Sequence, residues 1–448
     1  MSRSPSKSTV WRIAPALLAL ATNVVLADQH PDEWAEDLAL YRQEVLEADR
    51  SYPPPARARA ETLFKELERD HRQMTDPQIE LALARISALA GNGHSFLTPG
   101  GWTRRYPRLP VSFHVFGDGI YVLKATQDHE ALVGSRLIAI DGVSVEHLEK
   151  TWARYQSGKP GWRALYLPHF LEAPALLHAA GLAKSPHSVR LSVASDTGTE
   201  HQWEVPARDD LAPLEGIDLY LAPNRLLEVS STKNPDSIPM YLREPAKMFR
   251  HRMLESKSAR YIQFRANTDF SGQQDLNDFI DTLTDSLHSG PQGHIILDQR
   301  FNYGGDLNPT RPLMQQLARH LGHKGKLFII TSGRTFSAGI SSVGYAKQAA
   351  GVKAIIVGEP IGDALEFWAE GDLKVLPHSG VAFLMATERH NYINGCPEPD
   401  CHGSIRRNPI RVESLQPDVP APLSYRKFAG GADPALEAIF RLIEQENQ

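Results

Sequence analysis

The stretch "RTFSAGI" sets a small hydroxyl, Ser337, between Phe336 and Ala338, just after the apolar run "KLFIIT". A serine where a strand passes into a helix can simply cap the helix, its oxygen accepting a backbone N–H. It can also be a nucleophile, because the free N–H groups of a helix start favour developing negative charge. A nucleophile needs a proton acceptor and a stabiliser for the oxyanion. "ILDQRFNYGGD" offers the second: Asp298, Arg300 and Asn302 at a strand end, then Gly304 and Gly305. Without Cβ atoms, a Gly pair can turn backbone N–H groups toward a ligand, as an oxyanion hole requires. "GNGHSFL" offers the first, an imidazole at His94 on a tight loop. Each of the three is weak alone: a Gly pair is usually only a turn, and a lone histidine is usually structural.

The elements that must hold these residues can be read from periodicity. From Pro31 to about Ala90 the pattern is helical, with Trp34, Leu38, Tyr41 and Val45 near one face. A second helix has start signals at Asp76 and Pro77 and a stop at Gly91, and the His94 loop follows at once. "LPVSFHVF", "GIYVLKAT" and "ALVGSRLIAIDGVSV" alternate like strands, and "SVRLSVASDTGTEHQWEV" reads as a closing hairpin. From 259 onward apolar strands alternate with helices, the signature of an α/β layer.

This order of features resembles the S41 serine peptidases, the tail-specific, C-terminal-processing and tricorn-type family, over about residues 75–425. The motifs that carry it are "LARISALAGNGHSF", "HIILDQRFNYGGD", "RTFSAG", "IIVGEPIG" and "VESLQPDV". The resemblance implies a multidomain α/β chain with a ClpP/crotonase-like catalytic lobe at 256–448. An N-terminal helical region at 28–104 would carry the His loop, a PDZ-like β-rich module would occupy 105–210, and 211–255 would bridge. It implies Ser337 as nucleophile, with the Gly304 or Gly305 amide and the Ala338 amide as oxyanion hole. Tail-specific members use a lysine soon after the GE turn, but "GEPIGDALEFWAEGDL" has none, the flanking lysines being Lys353 and Lys374. The tricorn-type branch uses Ser, His and Glu, and His94 fits its histidine position. An imidazole titrates near neutrality without the burial a lysine base would need. The segment of form E-x-x-x-P-D matches at Glu413, with Glu366 and Glu370 as rivals for orienting the base. That branch also sets a serine before the histidine; here Gly93 stands there and Ser95 follows.

Bulk properties narrow the setting. With 448 residues, 42% hydrophobic and 23% charged, the chain has the composition of a globular protein of two or three domains. A net charge of -5 carries no electrostatic footprint for nucleic acid. Residues 1–27 read as a signal peptide: Arg3, Lys7 and Arg12, an apolar run from Ile13, and a small-x-small site at Val25-Leu26-Ala27. The product is expected in the periplasm or outside the cell, without stable membrane insertion. The two cysteines, Cys396 and Cys401, are expected to form a disulfide in that oxidising setting. Their alternative is a metal site completed by His390 and His402. His378 and His390 read as loop residues. The expected activity is serine endopeptidase on a polypeptide substrate with no cofactor or metal. A catalytically decayed binding protein and an esterase with the same triad are the alternatives.

Overall fold

The computed structural model describes residues 31–211, 229–230, 238–244, 247–269 and 274–446. The expected signal peptide and most of the expected bridging segment lie outside these residues.

The helices Pro31–Tyr41, Pro54–Asp70 and Asp76–Ala88 form the N-terminal region. The third begins where Gln78 Oε1 accepts the Thr75 N–H at 2.9 Å, and the chain turns out of it at Gly91, whose φ of 65° suits glycine. Next comes an antiparallel sheet whose main path runs Val111–Phe116, Gly119–Ala125, Arg136–Ile140, Ser188–Ala194 and Glu200–Pro206. The expected closing hairpin is its last pair, Ser188 opposite Pro206 through Ala194 opposite Glu200. Helices Val145–Trp152, Pro160–Leu171 and Pro174–Ala179 fill the long connection within it. The N-terminal helices and this sheet bury one continuous apolar cluster, from Trp34 and Phe64 to Phe113, Trp152 and Val205.

The C-terminal part is a six-stranded sheet in the order Val419–Pro420, Ala354–Gly358, Leu327–Thr331, His294–Asp298, Ala259–Phe264, Phe249–Leu254. Every pairing is parallel except the last, at the edge. Parallel strands are covered on both faces and so read as unbroken apolar runs; Ala259–Phe264 and Leu327–Thr331 are buried at every position. A long hairpin, Glu366–Val375 with Ala382–Asn391, is not part of this sheet. Its second strand pairs with Phe96–Leu97, the residues just after His94. That pairing ties the N-terminal loop to the hairpin in a separate three-stranded sheet. Among the described residues no helix is long and apolar enough to cross a membrane.

Candidate active site

Ser337 sits where the buried strand Leu327–Thr331 passes into the helix Ala338–Ala350. Its backbone has φ 51° and ψ −127°, a region that non-glycine residues enter only when the surroundings force them. The forcing is visible. Thr335 Oγ1 donates to the Gln299 carbonyl at 2.9 Å, Ser332 Oγ to the Arg300 carbonyl at 2.6 Å, and the Phe336 N–H to the Asn302 carbonyl at 2.9 Å. Gly339 must be glycine, because a Cβ there would lie 2.3 Å from the Asn302 oxygen. The Ser337 side chain makes no capping hydrogen bond to its own helix. The capping reading therefore fails, and the hydroxyl stands at the point of a strained strand-to-helix turn.

The Gly pair lies against this turn. A Cβ on Gly304 would meet Ser337 Cβ at 2.6 Å and Ala338 N at 3.2 Å; φ is +117° at Gly304 and +123° at Gly305. The two amides are not equivalent. The Gly304 N–H donates to Asn302 Oδ1 at 3.1 Å, whereas among the described residues the Gly305 and Ala338 N–H groups donate to no protein acceptor. A buried polar web fixes the arrangement. Asn302 Nδ2 donates to Asn267 Oδ1 and Gln299 Oε1, both at 2.6 Å. Asn267 Nδ2 reaches the Ala338 carbonyl at 3.1 Å and Ser342 Oγ at 2.9 Å. Asn267 has no recognisable motif in the sequence, yet it ties the helix start to the Gly pair. Asp298 and Arg300 have a structural place: Tyr261 donates to Asp298 at 2.6 Å, and Arg300 joins Asp298 to Asp433 by three contacts of 3.0 Å.

His94 is brought to the same turn. Its ring stacks on Phe336, the neighbour of Ser337, with centroids 4.2 Å apart, and on Phe367 at 5.2 Å. The loop is held from several sides. Asn92 exchanges hydrogen bonds with the Trp368 backbone, both 3.0 Å, and Ser157 Oγ donates to the Asn92 and Ser95 carbonyls at 2.7 and 2.8 Å. Nδ1 of His94 faces Asp363 Oδ2 at 3.4 Å, the side chains being 12% and 6% exposed. This is an ion-pair separation rather than a well-formed hydrogen bond; neither of these atoms, nor Nε2 of His94, has a hydrogen-bond partner among the described residues.

The carboxylate at the imidazole is thus Asp363, and the structure does not bring the expected Glu413 to it. Glu413 is exposed and forms no ion pair with His94 among the described residues. In its segment it is Asp418 that is engaged, accepting the Ile356 N–H at 2.8 Å and facing Lys347 at 3.3 Å. Of the rivals, Glu366 is exposed beside Arg389, and Glu370 binds His390 Nε2 at 3.1 Å. Gly93 explains the exchange: a Cβ there would lie 2.5 Å from Asp363 Oδ2 and 2.8 Å from Phe336 Cε2. The space a serine would fill before the histidine is occupied by the aspartate. A Gly in place of Ser was visible in the sequence; what it made room for was not.

His390 is not in a loop, as its surroundings in the sequence suggested. It lies within the strand Ala382–Asn391, buried, opposite Phe367 in register. Burial pushes its ring below the ordinary histidine range, outweighing the opposite pull of Glu370. Burial raises the Glu370 carboxyl, but the bond from His390 and the charges of His390, His402 and His94 together hold it below its usual range. His378 does lie in the hairpin turn, bonded to Glu36 at 2.8 Å. Cys396 and Cys401 are joined as a disulfide, so they offer no thiolate to a metal.

A column of near-parallel rings passes through the site: Trp162 on Phe336 (3.6 Å), Phe336 on His94, His94 on Phe367, Phe367 on His390 (4.9 Å) and His390 on His402 (5.3 Å). Trp162 belongs to the helix Pro160–Leu171, from the connection inside the antiparallel sheet. Beside it, Gly161 packs on Gly333 so closely that a Cβ on Gly333 would lie 2.6 Å from the Gly161 backbone. A cavity of about 220 Å³ opens on this seam, lined by His114, Leu165, Arg300, Gly333, Arg334 and Glu359 among others. Neither Ser337 nor His94 lines it.

No protein-family model matches this chain, and no curated protein matches it. Solved structures do. Mature CPAF in complex with lactacystin aligns over 93% of this chain and 99% of its own, with a TM-score of 0.57 at 12% identity. Mature CPAF alone aligns over 92% and 97%, with a TM-score of 0.54 at 13% identity. The tricorn protease aligns over 93% of this chain and 37% of its own at a TM-score of 0.37 and 14% identity. At such identities the likeness concerns the fold alone, and the fold is the one found in mature CPAF.

Proposed function

We propose that this chain is an exported serine endopeptidase that hydrolyses extended polypeptide through an acyl-enzyme. The observation that carries the reading is the strained Ser337 turn packed on Gly304, with His94 held against the adjoining Phe336. Ser337 Oγ attacks the scissile carbonyl while His94 takes its proton. The Ala338 and Gly305 N–H groups receive the oxyanion. His94 returns the proton to the leaving amine, then activates the water that releases the acyl group. Asp363, in place of Glu413, orients His94 and stabilises its charged form. Phe336 and Phe367 stack on the ring of the base, so only its edge is left to the reacting groups.

A fluorophosphonate probe tests the nucleophile. The unsubstituted protein should be labelled and should degrade unfolded casein; Ser337→Ala should do neither, with an unchanged thermal midpoint because the hydroxyl caps nothing. A Ser337→Ala variant that still turns over casein overturns the assignment. An unlabelled, inactive parent protein would favour a binding protein on the same fold.

A further inference from the structure

Glu370, His390 and His402 lie on three different stretches of chain, yet one ligating atom of each falls within 4.8 Å of the others. We infer that these three side chains form a binding site for a divalent transition-metal ion of the zinc class. This does not rest on the peptidase reading.

The arrangement of each residue supports it. Glu370 has φ 59° at a point where the hairpin's pairing slips, between Ala369 and Leu373. Such bulges re-aim a side chain, and a non-glycine residue held there is a strained one. The re-aimed carboxylate meets His390 Nε2 at 3.1 Å. His402 is fixed by its own backbone, whose N–H donates to the Arg389 carbonyl at 2.9 Å, and by the adjoining Cys396–Cys401 disulfide. Both histidines have their other ring nitrogen occupied: His390 Nδ1 lies 3.0 Å from the Tyr392 hydroxyl, and His402 Nδ1 lies 2.8 Å from Glu388 Oε2. A second partner of this kind is what orients metal-ligating imidazoles and sets their tautomer.

Two imidazoles and one carboxylate, with a position left for water, suit zinc, cobalt or nickel better than magnesium or calcium, which take oxygen ligands. The bland alternative is two separate pairs, Glu370 with His390 and His402 with Glu388. Two such pairs need not converge, and neither accounts for the strain at Glu370. The site lies one ring from His94, across Phe367.

The test is a zinc titration of the chelator-stripped, unreduced protein against a chromophoric competitor, with cobalt absorption as a second readout. One ion per chain is expected, with a cobalt spectrum of a four-coordinate nitrogen–oxygen site. His402→Ala and Glu370→Gln should each weaken binding by about tenfold or more, while His378→Ala should leave it unchanged. His402 is half-buried, so its truncation keeps the test usable if a His390 variant fails to fold; thermal midpoints establish that. Absence of stoichiometric binding, or equal affinity in His402→Ala, overturns the inference.

Discussion

Replacing Asp363 by Asn probes the least expected feature of the site. The change keeps the size of the side chain and removes one charge 3.4 Å from Nδ1 of His94. Two unit charges at that separation attract by about 5 kcal/mol at an effective dielectric of ~20. This interaction develops only when His94 becomes an imidazolium, so it lowers the barrier rather than tightening substrate binding. At 1.36 kcal/mol per decade, the full amount is worth about three to four decades of rate. An asparagine retains part of the orienting contact, so the expected loss is about 10³-fold in kcat with KM little changed. A quenched-fluorescence peptide derived from a casein digest provides the assay, with the thermal midpoint as a check on folding. Glu413→Gln and Glu366→Gln should stay within about twofold of the parent, because exposed carboxylates away from the base contribute little. Should Asp363→Asn retain more than a tenth of the activity while Glu413→Gln loses it, the orienting role assigned here is wrong.

Other substitutions read separate parts of the structure. Ser337→Gly removes the side chain that makes φ 51° costly, so it should be inactive yet more stable by about 1 kcal/mol, seen as a higher denaturant midpoint. Lys347→Ala should leave turnover unchanged, since Lys347 is committed to Asp418 and the Ala354 carbonyl; lost turnover would revive the lysine-base alternative. Burial holds His169 down to about 3, with Arg108 adding to the effect. The unfolded chain therefore takes up a proton first as pH falls, and the stability present above about pH 6.5 declines below it. At pH 5 that amounts to about 2 kcal/mol, and His169→Gln should flatten the acid limb of a denaturation series. The disulfide closes a sequence separation of 5 residues; exchanging both cysteines for serine should cost about 2 kcal/mol by loop entropy, and thiol titration of the unreduced protein should find no free cysteine.

The parts legible in the sequence were those whose signals are local. The buried strands read as apolar runs, the closing hairpin as alternation, and Gly304-Gly305 and Ser337 as a turn and a junction that need particular residue types. The partners assembled by tertiary contact were not legible. Asp363 lies in a segment where glutamates looked like the better candidates, and only the space left at Gly93 shows why an aspartate suffices. Asn267 joins the web through contacts to residues far along the chain. His390 looked like a loop residue because "ERHNYINGC" is polar, although in the strand its polarity is absorbed by Glu370 and Tyr392.

On the proposed mechanism, the ring column means that catalytic competence arrives last. Its six rings come from stretches that meet only when the N-terminal loop, the connection bearing Trp162, the Ser337 turn and the hairpin have all docked. Pairings so distant along the chain form late, because their loop-closure entropy is met only near the native state. If the proposed mechanism holds, a nascent or nicked chain would have the serine without His94 docked on Phe336, and so would be inert toward itself and its neighbours. In refolding, recovery of probe labelling should lag behind recovery of secondary structure. Trp162→Ala, which removes one end of the column, should lengthen that delay.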